Sequence, residues 1–271
     1  MAAQLFEKMQ FSLVYQKYMI PVSNAVINMI VSYVKEKTNE QPLDLALDVG
    51  CGTGRYTLPL APHFKKVLGI DISDSQINVA KQNNTASNVS YMVAAAEKLP
   101  IKDDSVDLVN AGLAVHWFIL DDFAGEVARV LKKNGCLALH GFHPSWEIKY
   151  KDLSQDLSKT ISEVWDTLCQ YAEETSNHVL TQYQNIYEAV TLKDKEWITD
   201  IPVTITMSIS EILGFFQSVY MFQILLEKDV KEAEELIIET ERRLRDILGE
   251  EADSVRLDVH MKHFCVLACK H

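Results

Sequence analysis

Leu45-Ala46-Leu47-Asp48-Val49-Gly50-Cys51-Gly52-Thr53-Gly54 is the stretch that decides the reading of this chain. A short apolar run over 43–49 reads as a β-strand, and it ends in G-x-G-x-G. Glycines suit such a place because the backbone must turn sharply and approach a ligand closely with no Cβ in the way. Helix-compatible sequence follows to about Pro62, so the local pattern is strand, glycine turn, helix.

The pattern repeats on both sides of that turn. Upstream, residues 21–34 place Val22, Ala25, Val26, Met29, Ile30, Tyr33 and Val34 at helical spacing behind a proline suited to a first helical position. A polar linker, 36–41, leads into the first strand. Downstream, 66–70 is a β-rich run ending at Asp71, Ser73 or Asp74 caps a helix to Lys81, and 89–93 is a third strand. Residues 107–112 form a fourth, Asp121 or Asp122 opens a helix to Leu131, and Gly135 turns the chain into a fifth over 136–141. Such alternation predicts a parallel, doubly wound α/β sheet. Beyond it, 152–174 reads as an inserted helix, 202–207 as a strand, 211–220 as an aromatic-rich helix, 230–248 as a helix stopped by Gly249, and 261–269 as a last strand.

Composition bounds the function. With 26 basic and 38 acidic residues the formal net charge is −12, which opposes generic binding to a phosphate backbone. The start of the chain lacks a signal-like pattern, and the most apolar segment, 109–120, is about half the length of a membrane span. The five cysteines, Cys51, Cys136, Cys169, Cys265 and Cys269, include no C-x-x-C pair and predict reduced thiols in a cytoplasmic setting. His140 and His143 lack a third ligand at suitable spacing, so no metal site is expected.

Two kinds of cofactor suit a strand, a glycine turn and an acid at the end of the next strand, where Asp71 is placed to accept hydrogen bonds from ribose hydroxyls. Dinucleotide binders prefer G-x-G-x-x-G, which sets a helix N-terminus on a pyrophosphate. Here Arg55 and Tyr56 follow Gly54, which favours a ligand without phosphate, S-adenosylmethionine.

Residues 48–54, Asp-Val-Gly-Cys-Gly-Thr-Gly, resemble motif I of the class I methyltransferases (methyltransferase type 11 domain). Gly69-Ile70-Asp71-Ile72-Ser73 resembles their second motif, Ala95-Ala96-Glu97-Lys98-Leu99-Pro100 their adenine-edge motif, and 104–109 their strand-four motif. Arg129-Val130-Leu131-Lys132-Lys133-Asn134-Gly135 resembles the turn before strand five. Tyr15-Gln16-Lys17-Tyr18, Ala114-Val115-His116-Trp117-Phe118 and Gly214-Phe215-Phe216 are similar to the trans-aconitate methyltransferase-like subgroup. The resemblance implies a mostly parallel seven-stranded Rossmann-like sheet, with an N-terminal helical lid at 1–40, a cofactor-binding core at 43–141, a substrate-pocket insertion at 142–200, and C-terminal helices and closing strands at 201–271, all in one domain. It implies S-adenosyl-L-methionine as cofactor, with S-adenosyl-L-homocysteine as product. The residues it places on the cofactor are Tyr15, Tyr18, Asp48, Gly50, Cys51, Gly52, Thr53, Gly54, Asp71, Ile72, Ala96, Glu97 and Asn110. The chain departs from the pattern at Met19, where relatives often carry an arginine for the cofactor carboxylate, and at Ala95, where many carry an aspartate facing adenine.

Methyl transfer from a sulfonium needs alignment above all; where the acceptor carries a proton, a base must remove it. His116, just past the fourth strand, is the candidate base, with the structural histidine as its other reading; Trp117 borders the sulfonium or packs in the core. The expected partner is a small-molecule methyl acceptor, with no nucleic acid and no membrane, and the protein is expected as a monomer or weak dimer. Asn110-Ala111-Gly112-Leu113 stands where a nucleic-acid amino-methyltransferase would carry N-P-P-Y. The competing functions are a cofactor-binding protein with little or no catalytic activity and, third, a nucleotide-dependent oxidoreductase.

Overall fold

A computed structural model describes residues 6–38 and 42–271; residues 1–5 of the expected lid, and 39–41 of the linker, lie outside the described residues. The chain opens with α1 (Met9–Tyr18) and α2 (Asn24–Thr38). The Rossmann-like part runs β1 (Leu43–Val49), β2 (Phe64–Asp71), α3 (Asp74–Gln82), β3 (Val89–Val93), β4 (Val106–Gly112), α4 (Leu120–Val130) and β5 (Leu131–Lys149). Then come α5 (Ser154–Cys169), α6 (Asn177–Leu180), α7 (Gln184–Ala189), β6 (Lys193–Met207), α8 (Ile209–Ser218), α9 (Tyr220–Lys228), α10 (Val230–Leu248) and β7 (Leu257–Cys269).

The seven strands form one mixed sheet in the order β3-β2-β1-β4-β5-β7-β6. Strands β1 to β5 pair in parallel, and β7 runs antiparallel between β5 and β6. The period of two sorts the apolar side chains onto two faces. Ala46 and Leu108 join Val26, Ile30 and Ile77 in a cluster under α2 and α3, while Leu47 and Val109 face Phe123, Val127 and Val130 of α4. Burial on both faces is the state in which strands read as continuous apolar runs.

The structure departs from the sequence reading in several places. After the glycine turn the chain forms a 3-10 helix (Leu58–His63) rather than an α-helix, in keeping with Pro59 and Pro62 inside it. Strand β5 does not stop at Gly141: it shifts register between Phe142 and Trp146, with Pro144 in the bulge, and pairs with β7 as far as Lys149. The helical insertion therefore begins after 150, and β6, expected over 202–207, starts at Lys193. Helix α9 follows α8 at a 74° bend and was not foreseen. Among the described residues no single helix is long and apolar enough to cross a membrane.

A second core lies over the extended ends of β5 and β7. Trp146 packs on Phe215 at 4.4 Å between ring centres, and Trp165 of α5 meets Phe216 at 5.3 Å. Helix α8 enters this core through a capping box between Ser208 and Glu211. Gly214 on α8 is where α1 docks, since a Cβ there would stand 2.3 Å from the ring of Tyr18.

Candidate functional site

The glycine turn leaves the C-terminal end of β1 with a positive φ at each glycine: +67° at Gly50, +54° at Gly52 and +83° at Gly54. Side chains are excluded for different reasons. A Cβ on Gly50 would lie 2.5 Å from Ala114 Cβ, and one on Gly54 would lie 2.4 Å from the Tyr91 hydroxyl. A Cβ on Gly52 meets nothing nearer than Gln76 Oε1 at 3.4 Å.

Asp71 ends β2 beside this turn. Gly52 N–H donates to its Oδ2 and Ser73 N–H to its Oδ1, each at 2.9 Å. An ionised carboxylate has about four lone-pair positions, so acceptor capacity remains for a ligand. Burial raises the Asp71 pKa, against the backbone hydrogen bonds of Ser73 and Gly52.

The turn and Asp71 open into a cavity of about 320 Å³ at the C-terminal ends of β1, β2 and β4, where ligands meet open α/β sheets. Of the residues singled out in the sequence, Tyr15, Gly50, Cys51, Gly52, Asp71, Ile72, Ala96, Glu97, His116 and Trp117 line it. Tyr18, Asp48, Thr53, Gly54 and Asn110 do not. Tyr18 is spent in the α1–α8 contact, and Gly54 abuts the Tyr91 ring. Asp48 is fully buried behind the turn, where its Oδ2 accepts from Thr57 Oγ1 (2.5 Å) and its Oδ1 from Asn110 Nδ2 (2.8 Å). These two bonds tie β1 to β4 and to the residues after the turn, a supporting rather than a contacting position.

Burial pushes the Asp48 carboxyl up to about 6, although the bonds from Thr57 and Asn110 favour its ionised form. With a folded value above the unfolded one, Asp48 keeps its proton in the native state while the unfolded chain loses it. Stability contributed by the protonated form is therefore lost as pH rises between about 4 and 6. Asp48→Asn, which cannot ionise, is expected to remove on the order of 2 kcal/mol of this decline, read as the difference between wild type and variant in urea unfolding at pH 4 and pH 7.

His116 sits in a 3-10 turn (Val115–Trp117) after β4, with its Nδ1 2.9 Å from the Tyr183 hydroxyl. Burial drives its pKa down to about 3. At neutral pH the ring is uncharged and weakly basic, which argues against the proton-accepting role expected from the sequence. Trp117 lies edge-on to Tyr220 at 5.1 Å. Glu97 accepts from Ile119 N–H (2.9 Å), so part of its carboxylate is already engaged at the start of α4.

The structure brings in residues that sequence reasoning passed over. Arg55 lines the cavity, as does Met19, and donates through Nη1 to the Gln16 carbonyl, while its buried Nε has no partner among the described residues. Gln76, in the first turn of α3, is buried against Gly52, and neither of its amide atoms is paired among the described residues. Tyr183 is fully buried in a left-handed conformation with φ 63°. Arg55 had a signal, its place directly after Gly54; Gln76 and Tyr183 had none, because only the fold carries them here. Arg129, from the motif before β5, donates to the carbonyls of Leu99 (2.9 Å) and Ile101 (2.7 Å) and so fixes the adenine-edge segment.

These residues suit S-adenosylmethionine. A concave, side-chain-free turn, a carboxylate with spare acceptor positions, and unpaired Arg55 and Gln76 groups supply partners for its sugar and its amino-acid tail.

A family model described as a methyltransferase domain matches residues 47–139. A Dictyostelium discoideum protein named as a methyltransferase is 28% identical over 263 residues, covering 94% of this chain and 92% of that one. A Saccharomyces cerevisiae protein named as an S-adenosylmethionine-dependent methyltransferase is 28% identical over 166 residues, 59% of this chain and 55% of that one. Among solved structures, a type II methyltransferase structure from Anaeromyxobacter dehalogenans has the same fold, with a TM-score of 0.72 at 21% identity over 90% of this chain and 97% of that one. With the glycine turn, the strand order and these likenesses together, residues 47–139 form a methyltransferase domain, and the chain is an S-adenosylmethionine-dependent methyltransferase with the class I fold.

Proposed function

We propose that this enzyme transfers a methyl group to a small-molecule acceptor by in-line displacement, with the cofactor along the C-terminal ends of β1, β2 and β4. The observation that carries the reading is the continuity of one cavity: it starts at the glycine turn and Asp71 and continues past His116 and Trp117 to Trp165 and Val219. When bound, S-adenosylmethionine supplies the electrophilic methyl carbon.

The chain's own residues hold and orient. Asp71 accepts hydrogen bonds from the ribose hydroxyls, and the exposed Ile72 side chain packs on the base, with Ala96 and Glu97 at its edge. The Arg55 guanidinium takes the place of the arginine missing at Met19 and meets the cofactor carboxylate, with Gln76 beside it. Tyr15 on α1 closes the cavity from above; burial raises its pKa to about 12, so it acts as a neutral hydroxyl. Holding two reactants in line supplies roughly 7 to 11 kcal/mol of the barrier without any dedicated catalytic group. The reading includes a cytoplasmic, reducing setting, which the five free thiols support.

A cofactor-binding protein without activity is not favoured, since the cavity extends well beyond the residues that hold the cofactor. Incubation with methyl-labelled S-adenosylmethionine and a deproteinised cell extract is expected to yield labelled small molecules. Label only on protein or nucleic acid, when those are supplied, would contradict the proposal.

A further inference from the structure

We infer that the acceptor is an uncharged, largely apolar molecule, methylated on a nitrogen or sulfur whose lone pair is free at neutral pH; this deepens the methyltransferase reading above and rests on it. The cavity beyond the glycine turn is walled by Leu113, Phe142, Trp165, Val179, Leu180 and Val219. Among the described residues that line the whole cavity, the charged side chains are Arg55, Asp71 and Glu97, and all three stand at the glycine-turn end.

An anionic acceptor would therefore lose its water in this half of the cavity without gaining a cationic side chain, and the effective penalty for burying such an ion is several kcal/mol. Among the acceptor classes open from the sequence, a carboxylate is the one this wall suits least. Two hydroxyls that reach this half are committed to the protein, while the buried Trp165 Nε1 has no partner among the described residues. Ser218 Oγ donates to the Phe215 carbonyl at 2.7 Å, and the Tyr220 hydroxyl accepts from Glu173 N–H at 3.0 Å and pairs with Ser176.

The same half holds no group suited to remove a proton. Its titratable side chains are His116, Cys169 and Tyr220. Burial leaves the His116 ring a weak base and raises both the Cys169 thiol and the Tyr220 hydroxyl, so neither is ionised at neutral pH. An acceptor with a free lone pair needs no base. The acceptor's lone pair forms the bond to the methyl carbon as the carbon–sulfur bond breaks, with that electron pair staying on sulfur. The positive charge passes from sulfur to the acceptor and no proton has to leave. The faces of Trp117, Phe142 and Trp165 suit the cation that results.

A matched pair of probes tests this: isoquinoline at pH 8, where its ring nitrogen is unprotonated, and 2-naphthoate, similar in size but anionic. In equilibrium dialysis against the full chain saturated with S-adenosylhomocysteine, isoquinoline is expected to bind at least ~10-fold more tightly, and methyl-labelled S-adenosylmethionine to give labelled N-methylisoquinolinium. Equal or tighter binding of 2-naphthoate, or retention of neither probe, overturns the inference. Binding of S-adenosylhomocysteine measured alone on the same sample keeps the two readings apart: if it fails, the methyltransferase site falls, and if it holds while the anion is preferred, only the acceptor class falls.

Discussion

Asp71→Ala is expected to weaken S-adenosylhomocysteine binding by at least ~100-fold in isothermal titration while leaving the protein folded. In the proposed complex the carboxylate accepts from two ribose hydroxyls, and each hydrogen bond to a charged group contributes about 1.5 to 3 kcal/mol, against 1.4 kcal/mol for each tenfold in affinity. The same side chain also anchors Gly52 N–H and Ser73 N–H, so its removal loosens the turn as well as the ligand. Asp71→Asn separates the two contributions. It keeps the shape but replaces one acceptor oxygen with a donor that faces a backbone N–H, and an intermediate loss is expected. Binding unaltered in both variants would show that the carboxylate does not hold the sugar.

Gly50→Ala is expected to lower both stability and cofactor affinity, because strain enters by two routes at one atom. An L-residue in the left-handed region costs roughly 1 to 2 kcal/mol. The new Cβ would also stand 2.5 Å from Ala114 Cβ, and overpacking of this kind costs about 1 to 3 kcal/mol. Together these correspond to a fall of roughly 4 to 9 °C in melting temperature for a chain of this size. Adding Ala114→Gly to the variant removes the shortest contact, leaving Phe118 Cζ at 3.0 Å and the backbone strain. The double variant is therefore expected to recover about half of the loss; recovery of none would show that Ala114 is not the limiting neighbour.

The parts of the fold legible in the sequence were those held by local physics. Strands β1 and β3 and helix α10 lie where their patterns placed them, because an apolar run before a glycine turn or a 3.6-residue stripe between Asp229 and Gly249 specifies its own limits. The far half of β5 was hidden by Pro144, which marks the end of a strand unless a bulge takes it up, and that bulge exists because β7 returns alongside. At the site, Gly50, Gly52 and Asp71 were legible because backbone conformation and strand position together dictate them. Arg55 was visible as a residue, but its place in the cavity depends on the way α1 lies against α8, through Tyr18 and Gly214, which are far apart in sequence. The environment of His116 was illegible for the same reason: Tyr183 comes from the inserted segment, and burial of the pair removes the basicity that a free histidine would have.

In the proposed complex the bare turn at Gly50 and Gly52, with Asp71, holds S-adenosylmethionine. Isothermal titration of the folded protein with S-adenosylhomocysteine tests it most directly. Saturable binding of one molecule per chain, weakened in Asp71→Ala, is the result predicted; no heat of binding and no rise in melting temperature at saturating ligand would contradict it.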